Sequence, residues 1–356
     1  MKRFITSIFL TLTILLSTTL CNFGVLTFAV DEPTGTTFHF LDVNSLNKEN
    51  GGPIGSADCI VIVDHDYDVV TMVDTGTEHS TSTAKVVKYV KDLGIDKIDH
   101  LFLTHPHNDH YGGVSAVVEA FDIVNAYYTT LFDWDKIRPC EIDYNTKWFY
   151  DKAIKSLTEK INSDGTGVNI IQPDKEGKVY EITPESHFTV YNCLAVVKNN
   201  FREPEFNDFS MMMKYSHKNV DALFTGDINL HYEYTLMGQV TPDGTRVYSD
   251  SSAELKAQAI DPVGEIEIFK LPHHGTKGSL STTTFLDTIN PNKTQHLAVI
   301  TGYIANVGDN VRGRMIGTYN YKMKITSGTN GSADVTIHSD GNTATFTDNN
   351  ALMTNS

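Results

Sequence analysis

The sequence predicts an α/β protein, and two observations predict it. Short runs rich in β-branched and aromatic residues alternate with stretches whose apolar residues recur every three or four positions, the periods of strand and helix. Three of the strand-like runs also end in His or Asp beside Gly: Leu101–Gly113 reads LFLTHPHNDHYGG, Asp221–Asp227 reads DALFTGD, and Glu265–Gly275 reads EIEIFKLPHHG. Polar residues at the ends of apolar strands place side chains at a sheet edge, where α/β proteins bind ligands.

Residues 1–29 read as a secretory signal. Lys2 and Arg3 precede the apolar stretch Phe4–Leu20, and Thr27-Phe28-Ala29 puts small residues where a signal peptidase reads. Cleavage after Ala29 leaves a secreted chain with no lasting membrane attachment; a retained apolar run is the alternative. No internal repeat or linker follows, so residues 35–356 read as one domain.

The elements follow in order. Phe38–Val43 is a strand, and polar Asn44–Ser56 is a loop. Ala57–Val63 and Val69–Val73 form a hairpin around His65–Asp68, closed by Asp74-Thr75-Gly76. Ala84, Val87, Val90 and Leu93 mark a helix over Thr81–Leu93, stopped by Gly94. Ile98–Leu103 is a strand, Val114–Phe121 a helix, and Ala126–Tyr128 a strand. Leu131–Lys147, rich in aromatic residues, reads as a lid or as a packed loop, and Trp148–Ile161 as a helix. Strands follow at Asn169–Ile171, Val179–Ile182, Phe188–Leu194, Ser210–Tyr215 and Asp221–Thr225. Asn229–Met237 is a helix or turn, Gly238–Ser252 a polar insertion, and Ala253–Ala259 a helix. Glu265–Leu271 is a strand, Thr282–Ile289 a helix, Leu297–Thr301 a strand and Gly308–Thr318 a polar loop. Asp334–His338 and Thr343–Phe346 close the chain as a hairpin.

Acidic residues number 44 against 28 basic, a net charge of −16, and the basic residues form no run. That disfavours a track along the phosphates of long nucleic acids. The four cysteines are widely spaced and include no CxxC pair, so neither a disulfide framework nor a cysteine zinc site is expected.

The chemistry concentrates in HxHxDH. His105, His107, Asp109 and His110 lie on a turn leaving a strand. Neutral imidazole and carboxylate suit zinc and similar divalent metals. His105 and His107 can reach one ion, and Asp109 and His110 a second ion a few ångström away, the arrangement a two-metal hydrolase needs.

HxHxDH, then Gly226-Asp227, then Pro272-His273-His274-Gly275, resembles the pattern of the metallo-β-lactamase-fold hydrolases. Phe40–Val43, Ser56–Ile60, Val73–Gly76 and the Asn-x-x-Ser of Asn207–Ser210 are similar to the branch containing the competence-protein C-terminal domain. The loop Asn44–Gly55 is longer than that branch usually carries. The aromatic segment and the helix after HHG also resemble secreted phosphorylcholine esterases. The resemblance implies an αββα sandwich of two mixed sheets flanked by helices, with two divalent ions at one edge: zinc first, manganese or iron as alternatives. It assigns His105 and His107 to the first ion, Asp109, His110 and His273 to the second, and Asp227 to both. Asn207 occupies the region where many relatives carry a third histidine for the first ion; His187 and His217 sit in strand-like context and replace it poorly. Asp109 would orient a metal-bridging hydroxide while ligating, and His274 would contact a phosphate oxygen or protonate the leaving group. Asp74 would sit behind a ligand histidine and fix its tautomer. Lys277 and Ser279 would cap the next helix or touch substrate.

The function expected is a secreted binuclear phosphodiesterase or related phosphoester hydrolase, acting on a small-molecule or extracellular, cell-wall phosphoester. The alternatives are a DNA-degrading nuclease of the competence type, a lactamase or lactonase, and a non-catalytic binding protein on the same fold.

Overall fold

The computed structural model describes residues 33–43, 55–128, 145–174, 177–191, 206–228, 263–276, 283–304, 307, 309–328 and 331–354. The signal segment, nearly all of the Asn44–Ser56 loop, most of the aromatic segment 131–147, the segments expected from Asn229 to Ala259, and Lys277 and Ser279 lie outside the described residues.

The first sheet takes β1 (Thr36–Phe40), β2 (Ile60–Asp64), β3 (Val69–Val73), β4 (Lys97–Phe102), β5 (Asp122–Tyr127) and β6 (Asn169–Ile171). The second takes β7 (Lys178–Thr183), β8 (Ser186–Tyr191), β9 (Met212–His217), β10 (Val220–Phe224), β11 (Ile268–Lys270), β12 (Leu297–Tyr303), β13 (Lys322–Gly328) and β14 (Gly331–Ser332). The chain then returns to the first sheet with β15 (Val335–Ser339) and β16 (Ala344–Phe346). The sheet orders are β16-β15-β1-β2-β3-β4-β5-β6 and β14-β13-β12-β11-β10-β9-β8-β7.

Both sheets are mixed in the same way. β1–β2–β3 run antiparallel, and β4 then joins β3 in parallel. β8–β9–β10 run antiparallel, and β11 then joins β10 in parallel. A parallel pair sends both C-terminal loops out at the same end. Each sheet therefore delivers two such loops to one edge, after β3 and β4 and after β10 and β11.

The sheets pack through a core that joins Phe38, Phe40, Ile60, Ile62 and Phe102 to Phe188, Tyr215 and Phe224. Phe188 sits at the crossing, its ring centroid 4.5 Å from that of Phe102 and 5.1 Å from that of Tyr215. The opposite face of the first sheet is covered by α1 (Ser80–Asp92), α3 (Val114–Ala120) and α4 (Thr146–Glu159), through Val86, Val90, Val117 and Leu157; α2 (Asn108–Tyr111) is the single turn before α3. The second sheet is covered by α5 (Thr283–Ile289), α6 (Asp309–Arg312) and the π-helical turn Gly313–Thr318. With both faces covered, strands read as continuous apolar runs, as IVIV of β2 does. This is the α/β sandwich of two mixed sheets with flanking helices that the resemblance implies.

The structure differs from the sequence reading at three places. Gly308–Thr318, read as a loop, holds α6 and the π-helical turn; Val311 and Met315, four apart, are both buried, a helical spacing masked by the glycines around it. β13 had no assignment because KMKITSG looks polar; Lys324 is buried there and pairs with Asp348 at 2.8 Å. The first strand stops at Phe40, where pairing with β15 ends and Asp42 N donates to the Asp334 carboxylate, while Leu41 N still reaches Cys59 O in the β2 register.

Candidate metal centre

The edge at the ends of β3, β4, β10 and β11 is tied together by backbone bonds before any side chain acts. Asp74 N donates to Phe102 O at 2.9 Å, joining the ends of β3 and β4. Thr75 N and Thr75 Oγ1 both donate to His110 O, which fixes the HxHxDH turn against the β3 exit. Met211 N donates to Thr104 O and His273 N to Gly226 O, linking the two sheets and the two second-sheet loops. Two glycines make the approach possible. A Cβ on Gly113 would lie 2.2 Å from Thr75 O. Gly226 has φ +52, and its Cβ would lie 2.9 Å from Ser210 Cβ.

Four side chains converge there. Asp109, His110, Asp227 and His274 each offer a ligand atom within 4.8 Å of the others. His110 Nε2 lies 3.2 Å from Asp227 Oδ1, and His274 Nε2 lies 3.2 Å from Asp227 Oδ2 and 3.5 Å from Asp109 Oδ2. Yet His110 Nε2, His274 Nε2 and Asp227 Oδ1 are buried with no hydrogen-bond partner. These atoms are close without being aimed at one another. Ligands about 2.0–2.1 Å from a tetrahedral zinc stand roughly 3.3 Å apart, which is this spacing. The donor set therefore fits a divalent cation.

Each imidazole in this group is held from behind. His110 Nδ1 lies 2.7 Å from Asp74 Oδ2, and Asp74 also accepts from Thr104 N and Thr104 Oγ1. His274 Nδ1 donates to Thr301 O at 2.8 Å. In both rings the proton is kept on Nδ1 and the Nε2 lone pair faces the centre. Burial opposes charge on His110, but Asp227, Asp74 and Asp109 outweigh it and hold the ring well above its ordinary range. Burial likewise opposes charge on His274, and Asp227 and Asp58 overcome it. Asp227, although buried, is held well below the usual carboxylate range by His274, His110 and His273. The cluster demands positive charge, which bound cations supply while displacing those protons.

His105 and His107 form a second group. His105 Nε2 faces His107 Nδ1 at 3.1 Å. Burial, then His110 and His107, hold His105 well below its ordinary range, so it is a neutral donor. The His107 ring meets Phe206 edge-on at 5.9 Å. Asn207 follows in the 3-10 turn Phe206–Phe209, its Oδ1 buried and unpartnered. Among the described residues no set of three converging ligand atoms includes His105 or His107; the His110 ring, 4.1 Å from that of His105 between centroids, belongs to the first group. His187 and His217 lie on β8 and β9, and His217 pairs with Val220 at the far end of the sheet.

The HHG turn places its two histidines otherwise than the resemblance implies. That assignment made His273 a ligand of the second ion and His274 the spare imidazole. The structure places His274 in the converging group, while His273 Nε2 stands 3.8 Å from Asp227 Oδ2 with its side chain 32% exposed. Both residues are in the left-handed region, at φ 46 and 56. His274, whose Nδ1 reaches Thr301 O, is the one in the group of four.

Two site residues escaped the sequence reading. Asp58, just before β2, is buried; its carboxylate pairs with Lys270 Nζ, accepts from Thr301 Oγ1 and lies 3.2 Å from His274 Nδ1. Its backbone N donates to Asp109 O, and its carbonyl accepts from Gly76 N. Lys270, on β11 and also buried, donates to Gly226 O at 3.0 Å and stands 3.8 Å from Asp227 Oδ1. The available signal was a lysine inside EIEIFKLP, since a strand covered on both faces has no solvated side for it.

The sequence model of the metallo-β-lactamase superfamily matches residues 52–136. No curated protein matches the chain. Among solved structures, a metallo-β-lactamase assigned in Thermotoga maritima is 16% identical, with 66% of this chain and 95% of that one covered and a TM-score of 0.37. The Rm3 metallo-β-lactamase is 12% identical over 67% of this chain and 76% of that one, with a TM-score of 0.36. A metallo-β-lactamase superfamily protein of Sulfolobus tokodaii is 14% identical over 58% and 66%, with a TM-score of 0.31.

Proposed function

We propose that this protein is a secreted hydrolase that uses two divalent metal ions, zinc foremost, to cleave a phosphodiester. The observation that carries the reading is the convergence of buried, unpartnered His110 Nε2, His274 Nε2 and Asp227 Oδ1 on one point beside His105 and His107. Bound there, divalent ions supply Lewis acidity and lower the pKa of water.

The chain's own residues do the rest. Burial opposes charge on Asp109, but His110 and the nearby His274 outweigh it and hold the carboxyl below its usual range; its side chain is 34% exposed. It thus reaches from the centre toward solvent, where it can orient an incoming water and accept its proton. His273, partly exposed beside Asp227, is placed to contact a substrate oxygen or the leaving group. Asp74 and Thr301 O keep His110 and His274 in the tautomers that face the centre. Asn207 in place of a third histidine leaves the His105–His107 half open to an anionic oxygen. That favours a phosphoester over a lactam, and the charge of −16 favours a small or exposed substrate over long DNA.

The test is a hydrolysis screen of the metal-replete mature protein against bis-aryl phosphate, aryl phosphomonoester, a chromogenic β-lactam and single-stranded DNA. Cleavage of the bis-aryl phosphate, lost in Asp109→Ala, is the expected result. Lactam hydrolysis without phosphodiester cleavage overturns the substrate class. Release of nucleotides from DNA, abolished by Asp109→Ala, moves the substrate to nucleic acid.

A further inference from the structure

The strands that end at the metal centre begin at a second cluster. β3 starts at Val69, just after the turn carrying Asp66, and β10 starts at Val220, just after His217. Five strand residues separate the two ends, about 17 Å at the usual rise. Asp66, in the β2–β3 turn, Glu185, in the β7–β8 turn, and His217, at the end of β9, offer ligand atoms that all lie within 4.8 Å of one another.

We infer that His217, Asp66 and Glu185 form a separate divalent-cation site that clamps the first sheet to the second at the end remote from the catalytic edge. His217 is the decisive member. It is 1% exposed, its Nδ1 lies 3.1 Å from Thr36 Oγ1, and its Nε2 is buried without a hydrogen-bond partner. A buried ring nitrogen left unpaired carries a desolvation cost, which a group that accepts its lone pair relieves. Burial and the neighbouring Lys218 hold the ring below its ordinary range, so it is neutral near pH 7. With the proton on Nδ1 toward Thr36, the Nε2 lone pair is left for a metal.

The other groups around it are accounted for. Asp64 is committed: it accepts from Asp66 N, Tyr67 N and Thr183 Oγ1. Lys218 Nζ sits 2.9 Å from Glu185 Oε2 and is the cation with which a metal ion competes. One imidazole and two carboxylates suit zinc or manganese better than calcium or magnesium, which prefer oxygen alone. Asp66 comes from the first sheet, and Glu185 and His217 from the second, so an ion held by all three resists separation of the sheets.

The test uses the full-length mature chain and zinc or manganese alone. Metal content is measured in the wild type, in a variant with the catalytic edge disabled (His110→Ala/Asp227→Ala), and in each after adding Asp66→Asn/Glu185→Gln. The edge-disabled protein is expected to retain one equivalent, with affinity falling on the order of a hundredfold or more in the combined variant. His217→Gln gives the same loss, and Lys218→Met tightens binding. Thermal unfolding then responds to added metal in the edge-disabled protein and not in the combined variant. The two carboxylate substitutions are on exposed side chains and keep the measurement available if His217→Gln does not fold. An edge-disabled protein that binds no metal, or whose metal is untouched by Asp66→Asn/Glu185→Gln, overturns the inference.

Discussion

The two halves of the catalytic edge are unequal. Around Asp227, four donors converge, and each imidazole among them is locked from behind, His110 by Asp74 and His274 by Thr301 O. Around His105 and His107, two imidazoles face each other at 3.1 Å, His107 is only partly buried, and its ring packs on Phe206, the residue before Asn207. The comparison teaches that similar residue types at adjacent positions need not make similar sites. What differs is how many donors are held in the right tautomer before metal arrives, and that number sets affinity. The half around Asp227 is expected to hold its ion tightly and the His105–His107 half to hold its ion weakly.

The largest expected effect breaks the comparison at its shared member. Asp227→Ala removes the carboxylate facing both His110 and His274, and activity falls by roughly three orders of magnitude or more, the scale of losing a principal electrostatic stabiliser. Metal content measured on the same preparation should fall with it, and a fully loaded, active Asp227→Ala protein refutes the shared role. Next is the support beneath the edge. Lys270→Met strands the buried Asp58 carboxylate and costs about 3–5 kcal/mol in denaturant unfolding. Asp58→Asn/Lys270→Met, with the pair removed together, should cost clearly less than the sum of the single changes; strict additivity would mean that the two side chains do not act as a pair.

A smaller effect sharpens the contrast between the halves. Asp74→Asn leaves the His110 ring in place but loosens its tautomer, and metal affinity at that half drops about 10–100-fold. The His105–His107 half should keep its affinity, read by competition with a chromogenic chelator. The smallest effect needs no mutation. Stepwise chelation should remove one of the two edge equivalents well before the other, and His107→Ala should abolish only that early step. Simultaneous release of both equivalents would show that the halves are matched after all.

The residues that mark this edge were readable in the chain because their chemistry is local. HxHxDH, Gly-Asp and HHG each follow an apolar strand, and strand ends are where the side-chain period and the glycine punctuation are least ambiguous. Asp74 was also readable, as a carboxylate closing the first hairpin. Asp58 and Lys270 were not. Each sits in a run read as a strand, where a lone charged residue looks like the solvated face.

By itself the sequence determined the class of the fold and the ligand types. Strand and helix periods and the donor residues are properties of neighbours along the chain. Only the tertiary structure decided which adjacent histidine enters the centre, because the contact that holds His274 there is made by Thr301, on a different strand. Tertiary structure alone also paired Asp58 with Lys270 and placed β15 beside β1 in the first sheet. Those contacts join segments hundreds of residues apart, and a buried ion pair or a sheet edge has no signature until the chain closes on itself.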